Sequence, residues 1–218
     1  NGAIDTVWEQ AFEAEVDTAS DKVTASTLID MQSFYDHIDL ELLSQRGIDV
    51  GFHPKLLRLA VSAYRFQRVL SKQGKLAAPL APGRGVIAGC GLATSMVKVF
   101  CVGAFDKFRT RWPNVRIDVY IDDITLTATG NADRLSRATL DLKRLIEDEL
   151  RCAVALDKTA VVASNSELAE AVAAATACTG AKAGDVATNL GVDYAAGKTR
   201  SSHHGRSARE KRLAAAEA

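Results

Sequence analysis

Residues 115–129 read VRIDVYIDDITLTAT and are the most informative part of the sequence about its fold. Apolar and β-branched residues dominate both sides of a central aspartate pair, which predicts two strands joined by a tight turn. Asp122 and Asp123 form that pair, although aspartate is depleted in strands and adjacent carboxylates repel each other. An exposed turn is one explanation, because aspartate is common in turns. Neutralisation by a bound cation is the other.

Asp30 is a second carboxylate in an apolar setting. It lies in TLIDM (27–31), which predicts a buried strand where a lone charge is costly. Pairing with a lysine or arginine would remove that cost. If this strand and the hairpin are neighbours in one sheet, Asp30 and Asp122 instead converge on divalent metal ions, since Mg²⁺ takes oxygen ligands. Two such ions about 4 Å apart stabilise both reacting oxygens of an in-line phosphoryl displacement.

Charge is segregated along the chain, although its 27 basic and 27 acidic residues balance overall. Residues 1–30 carry seven acids and one base. Residues 50–105 carry no acid and eight bases, namely Lys55, Arg58, Arg65, Arg68, Lys72, Lys75, Arg84 and Lys98. A chance fluctuation can produce such a stretch, but its length favours an electropositive surface that attracts phosphates.

The composition is that of a globular protein, with 218 residues of which 47% are hydrophobic and 25% charged. No apolar run approaches the roughly 18 residues that span a bilayer, so we expect no membrane-spanning helix. Cys90, Cys101, Cys152 and Cys178 lack metal or redox spacing, which predicts reduced thiols in an intracellular protein, nuclear or cytoplasmic. The first residue is Asn rather than Met, so we expect a fragment or processed piece.

Five short motifs resemble, in content and order, those of the palm domain of reverse transcriptases (RNA-directed DNA polymerases). They are most similar to the motifs of non-LTR retrotransposons and group II introns. The matching stretches are LIDMQSFYD (28–36), RGVIAGCGLATSM (84–96), YIDD (120–123), LDKT (156–159) and the Leu190-Gly191 turn. Five motifs in the same order make the resemblance far more specific than the YIDD stretch alone.

The resemblance implies a metal centre. Asp30, Asp122 and Asp123 would be the catalytic residues and, with the backbone carbonyl of Met31, would hold two Mg²⁺ ions, with Mn²⁺ as an alternative. Asp123 would assist the other two aspartates. The reaction implied is attack of a primer 3′-hydroxyl on the α-phosphate of a deoxynucleotide, without a covalent enzyme intermediate.

The resemblance also implies the substrate contacts. Phe34 and Tyr35 would bind the nucleotide, with the Tyr35 ring as a steric gate against a 2′-hydroxyl. Gly89 and Gly91 would let the backbone approach the template or nascent base pair, because they lack a Cβ. Lys158 would protonate or neutralise the pyrophosphate leaving group. Leu190 and Gly191 would position the primer end.

Each of these residues has a simpler explanation. Tyr35 can be a core aromatic, the two glycines a helix-entry turn, Lys158 a solvated charge, and the Leu190-Gly191 pair a plain β-turn. The second motif also departs from the family, which usually carries Gln, Pro and Ser where this chain has Ala88, Cys90 and Gly91.

The expected fold is α+β, a polymerase palm whose antiparallel sheet carries the aspartates with helices packed on one face. Residues 1–27 would form a helical segment, 28–195 the palm, and 196–218 a basic flexible tail. A fingers-like hairpin near 59–86, turning at Gln73-Gly74, would project from the palm. Basic fingers and a helical thumb are not recognisable, so we expect companion domains in a longer polyprotein.

Two functions from different classes remain after the sequence. The first is an RNA-directed DNA polymerase fragment of a retroelement, with an RNA template, a DNA primer and a dNTP as partners. The second is a catalytically inactive remnant that keeps the palm fold and binds nucleic acid. A two-metal nuclease would need the same carboxylates but would cleave rather than extend.

Overall fold

The computed structural model describes residues 3–130, 132–155, 157–176, 182–184, 186–189 and 192–195. The helices are α1 Ala3–Ala19, α2 Phe34–His37, α3 Leu40–Asp49, α4 Pro54–Tyr64, α5 Ala93–Arg111, α6 Ala132–Asp148 and α7 Ser166–Ala175. The strands are β1 Thr24–Asp30, β2 Ser71–Lys72, β3 Lys75–Leu76, β4 Arg116–Tyr120, β5 Asp123–Thr129, β6 Ala160–Ala163, β7 Lys182–Gly184, β8 Val186–Asn189 and β9 Val192–Ala195.

The chain divides into two compact units. The first comprises residues 1–30, 111–143 and 154–218, and the second residues 31–110 and 144–153. The expected tail, 196–218, lies outside the described residues.

A five-stranded sheet with the order β4-β5-β1-β6-β7 forms the first unit. Strands β4, β5, β1 and β6 are antiparallel to their neighbours, whereas β7 runs parallel to β6. Strand β1 lies in the middle, and its residues from Thr24 to Ile29 are all buried. Burial of both faces explains why TLIDM reads as a continuous apolar run rather than an alternating one.

Helices cover both faces of this sheet. Side chains of Leu28, Ala160 and Val162 form a core cluster against which Ala11 of α1 packs. Thr27 belongs to the opposite face, because side chains alternate along a strand. Its hydroxyl accepts a hydrogen bond of 3.2 Å from Thr139 of α6. The expected α+β palm-like class is therefore confirmed, with one difference: helices pack on two faces rather than one.

Helix α1 is held on the sheet by a charged network. Arg116 of β4 forms ion pairs with Glu13 and Glu9 of α1 and with Asp118 on its own strand, the last at 2.7 Å. Gln10 donates a further hydrogen bond of 2.9 Å to Asp118. Two of the acids concentrated at the start of the chain, Glu9 and Glu13, thus have a structural partner in β4.

The second unit has an aromatic core and a projecting hairpin. Its largest fully buried side chains include Tyr64, Phe34, Phe100 and Phe108. The hairpin pairs β2 with β3, and Gln73 and Gly74 at its turn have φ values of 49° and 75°. The turn expected at Gln73-Gly74 is therefore confirmed, because a tight two-residue turn needs positive φ.

Two further findings concern the whole described chain. None of its described helices is long and apolar enough to cross a membrane. Cys90, Cys101 and Cys152 are free thiols, as expected, and Cys178 lies outside the described residues.

Candidate metal and nucleotide site

Two of the three candidate aspartates occupy one row of the sheet. In the β1–β5 ladder Asp30 is the partner of Asp123, and in the β4–β5 ladder Asp123 is the partner of Tyr120. Direct cross-strand partners present their side chains on the same face of a sheet, about 5 Å apart. The expectation that β1 and the hairpin are neighbours is confirmed, but the direct partner of Asp30 is Asp123 rather than the expected Asp122, because Asp122 lies in the turn before β5.

The turn of the hairpin consists of Ile121 and Asp122. Ile121 has a φ of 60°, a left-handed conformation that β-branched residues rarely adopt. The tightest hairpin turns require positive φ at this position and normally use glycine there. An isoleucine here stores strain, which native structures tolerate mainly at functional sites. Asp122 is thereby held at the tip of the hairpin, directly before Asp123.

Electrostatics in this row are unfavourable without a cation. The pKa of Asp123 is raised from 3.8 to about 6, first by burial and then by the charges of Asp122 and Asp30, with Lys158 acting in the opposite direction. Three carboxylates therefore act on one another at one end of the sheet. A positively charged group close to these three carboxylates would relieve their repulsion.

A lysine supplies part of that charge. The Nζ atom of Lys158 lies 2.7 Å from Oδ2 of Asp30. The pKa of Lys158 is raised by the hydrogen bond and charge of Asp30, with smaller contributions from Asp157 and Asp122. Pairing with a lysine or arginine is one of the two explanations for a charge at Asp30, and the structure contains such a pair with Lys158.

The carboxylate oxygens of this cluster are the type of ligand that a hard divalent cation prefers. Within the described ranges, no three His, Cys, Asp or Glu side chains are arranged so that they could already hold a metal ion. Mg²⁺, however, is commonly bound through one or two carboxylates together with substrate phosphates and water. Asp30, Asp122 and Asp123 offer such oxygens, and their mutual repulsion favours a cation between them. Met31, the next residue after Asp30, has a buried side chain.

The expected nucleotide-binding aromatics differ in accessibility. The Phe34 ring is 2% exposed and lies 6.3 Å from the Phe100 ring, centroid to centroid. A ring this buried cannot stack on a ligand, which speaks against the nucleotide contact expected of Phe34. Tyr35 is half-buried, with its ring centroid 6.2 Å from that of Phe34. Within this pair, only Tyr35 keeps a surface for a substrate.

The glycine-rich segment is bonded to the turn that carries Tyr35. Val86 N–H donates to the Tyr35 carbonyl, and Gly85 N–H donates to the Ile38 carbonyl, both at 2.8 Å. Gly85 has a φ of 97°, and a Cβ there would lie 3.4 Å from the Asp36 carbonyl oxygen. Sequence reasoning selects Gly89 and Gly91 and misses Gly85. The RGV start of the second motif is the sequence signal that could have identified Gly85.

The two glycines that the sequence selected have different requirements. Gly89 has a φ of 83°, so its backbone conformation itself favours glycine. Gly91 has no such φ, and a Cβ on either residue would meet nothing within 4 Å. Both are exposed. Leu190, Gly191 and Leu156 of the remaining motifs lie outside the described residues.

Solved structures with a similar fold include telomerases. Telomerase from Candida tropicalis in complex with a TWJ fragment of telomeric RNA matches with a TM-score of 0.68 and 13% identity over 93% of this chain. Apo telomerase from Candida tropicalis truncated from its C-terminal domain has a TM-score of 0.61 and 15% identity over 91%. Telomerase from Candida albicans in complex with a TWJ fragment of telomeric RNA has a TM-score of 0.56 and 14% identity over 91% of this chain.

These likenesses establish the fold alone, since the identities are low. The chain spans 34%, 39% and 34% of the three telomerase chains, respectively. No curated protein matches the chain in sequence. A family model does match, described as reverse transcriptase (RNA-dependent DNA polymerase), over residues 5–194. Because that match covers most of the sequence, the chain belongs to the reverse transcriptase family.

Proposed function

We propose that this chain is the palm of an RNA-directed DNA polymerase from a retroelement and transfers a nucleotide from a dNTP to a primer 3′-hydroxyl. The observation that carries the proposal is the direct pairing of Asp30 with Asp123, with Asp122 in the adjoining turn. Membership of the reverse transcriptase family supports the same chemistry. The retroelement origin rests on the resemblance of the motifs to those of non-LTR and group II elements.

Asp30 and Asp122 would hold the metal ions, with Asp123 and the Met31 carbonyl assisting. When bound, two divalent cations stabilise the charge that develops on the attacking and leaving oxygens. The chain's own contribution is positioning. The ladder fixes Asp30 and Asp123 on rigid strands, and the strained turn fixes Asp122.

The remaining roles concern the substrates. Tyr35 would lie beneath the sugar of the incoming dNTP and exclude a 2′-hydroxyl, and its partial exposure is compatible with that contact. Gly89 and Gly91 would face the template or the nascent base pair from their open positions. Lys158 would neutralise the pyrophosphate, and Leu190 with Gly191 would position the primer.

The template and primer would also contact the β2–β3 hairpin. Lys72 and Lys75 lie in its strands, Arg65 and Arg68 precede it, and no acid occurs between residues 50 and 105. Arg65 is engaged by Glu41 at 2.7 Å, whereas both lysines are exposed at the tip. Cations presented in this way add affinity for any phosphate backbone by releasing counterions.

Primer extension on an RNA template tests the proposal. The wild-type chain at high concentration should add a single deoxynucleotide in the presence of Mg²⁺ or Mn²⁺, whereas Asp122→Asn should not. Because the 218-residue chain spans about a third of a telomerase chain, we expect slow addition that ends after one or a few nucleotides. No extension by the wild type, while it still binds a primer–template, contradicts the proposal and indicates the inactive remnant.

A further inference from the structure

Lys158 occupies the place beside Asp30 where a metal ion is expected. Its Nζ lies 2.7 Å from Oδ2 of Asp30, whose side chain is only 18% exposed. The lysine side chain itself is 65% exposed. The Asp30 carboxylate is thus largely shielded from water, whereas its partner approaches it from the solvent side.

The backbone directs Lys158 to this position. In the β1–β6 ladder Leu28 is the partner of Ala160, and continuing that register by two residues sets position 158 opposite Asp30. Ala155 N–H donates to the Asp30 carbonyl at 2.8 Å, and Lys158 N–H donates to the Ala155 carbonyl at 3.1 Å. The turn that carries the lysine is therefore anchored on the residue with which the lysine pairs.

The anchoring extends into the core. The Thr159 hydroxyl donates to the Ala155 carbonyl at 3.1 Å, and Thr159 is 1% exposed. The backbone beneath Lys158 is consequently fixed, while its side chain remains free to rotate into solvent. An ammonium group on a flexible stem above a fixed base can leave Asp30 without unfolding the turn.

We propose that Lys158 is the internal counter-ion of the metal-free carboxylate cluster, and that a divalent cation binds by displacing its ammonium group from Asp30. The inference rests on the proposed function, because it takes the cluster to be a metal site. An ammonium group and a divalent cation on the same carboxylate repel each other. Metal binding therefore releases Lys158, and the released side chain becomes available to other anionic groups.

Mn²⁺ binding to the 218-residue chain tests this exchange and is measured from the electron paramagnetic resonance of the free ion. Lys158→Met removes the charge but keeps most of the side chain. Lys22→Met is the matched control, since Lys22 is 58% exposed and pairs with Asp17 at 3.4 Å, at the far end of β1. We expect Lys158→Met to bind Mn²⁺ roughly two- to fivefold more tightly than wild type, because no ammonium group competes for Asp30 and exposed ion pairs are weak. Lys22→Met should bind like wild type.

A second measurement observes the exchange directly. In ¹⁵N-lysine NMR, the signal that Lys158→Met lacks identifies the Lys158 ammonium group, and saturating Mg²⁺ should shift that signal in wild type to the position of solvated lysines. If wild type binds Mn²⁺ and folded Lys158→Met binds it no more tightly, or if Mg²⁺ leaves the signal unchanged, the counter-ion role is wrong while the proposed function stands. Absence of Mn²⁺ binding by both chains contradicts the proposed function and this inference together.

Discussion

Asp30 and Asp123 are direct partners across β1 and β5, so two carboxylates face the same side of the sheet at its end. Without a metal, the pKa of Asp123 is raised from 3.8 to about 6, chiefly by burial and then by its acidic neighbours. The folded chain therefore retains a proton between these two pH values that the unfolded chain releases. Stability contributed by this proton is lost as the pH rises from about 4 to about 6.

Asp123→Asn should remove that loss. In EDTA above pH 6, we expect the variant to be more stable than wild type by about 1 to 3 kcal/mol, and the difference should vanish near pH 4. Urea unfolding at a series of pH values measures it. An equal stability difference at pH 4 and pH 8 would contradict the raised pKa.

The left-handed backbone of Ile121 should reduce the stability of the folded chain. Asn adopts positive φ more readily than a β-branched residue, so Ile121→Asn should raise the free energy of unfolding by about 1 kcal/mol relative to Ile121→Val, which retains the strain. Thermal unfolding compares the two variants. A more stable valine variant would show that the φ of 60° is not a source of strain.

Tyr35 should control sugar selection if its ring lies under the nucleotide. Tyr35→Ala should incorporate ribonucleotides with an efficiency nearer to that of deoxynucleotides, because the ring no longer excludes the 2′-hydroxyl. Tyr35→Phe retains the ring and should discriminate like wild type. The ratio of kcat/KM for a dNTP and the matching rNTP is the measurement. Unchanged discrimination in the alanine variant would assign Tyr35 to packing.

Alanine variants of two glycines of the second motif should have different effects, one on stability and the other on binding of nucleic acid. Gly85→Ala places a Cβ near the Asp36 carbonyl at a φ of 97° and should cost about 1 to 2 kcal/mol of stability. Gly91→Ala meets no atom within 4 Å and should leave stability unchanged. If Gly91 faces the nucleic acid, its alanine variant should instead weaken binding to a primer–template. Normal binding by Gly91→Ala would remove it from the proposed interface.

Lys72 and Lys75 should act through charge alone. The double variant Lys72→Gln/Lys75→Gln should bind a primer–template more weakly, and the slope of log K against log salt should fall by about 1 for each lost phosphate contact. Lys22→Gln, outside the basic stretch, is the control. Fluorescence anisotropy at several salt concentrations distinguishes these results. An unchanged slope would mean that the hairpin does not contact the backbone.

Local patterns predicted the elements that depend on neighbouring residues. Alternation around Asp122 and Asp123 gave the hairpin, and helical spacing predicted the apolar side of α5, where Met96, Phe100 and Phe108 are all buried. The pairing of β1 with β5 followed from an energetic requirement, since Asp30 needed a partner. These predictions succeeded because strand and helix periodicity are properties of short segments.

Other features depend on contacts between distant parts of the chain. The Lys158–Asp30 ion pair has no local signal, because the register of β6 against β1 brings the residues together. Phe34 and Tyr35 are adjacent aromatics, and only packing against Phe100 decides which of them is buried. The place of α1 on the face formed by Leu28, Ala160 and Val162 likewise depends on Arg116, which pairs with Glu9 and Glu13 of α1.

The metal centre is tested most directly by Mn²⁺ binding to wild type, Asp30→Asn and Asp122→Asn, with circular dichroism to establish that each is folded. Saturable binding by wild type that weakens at least tenfold in both variants is the result expected if these carboxylates hold the ion together. Equal affinity in all three chains, or no binding by wild type, would contradict it.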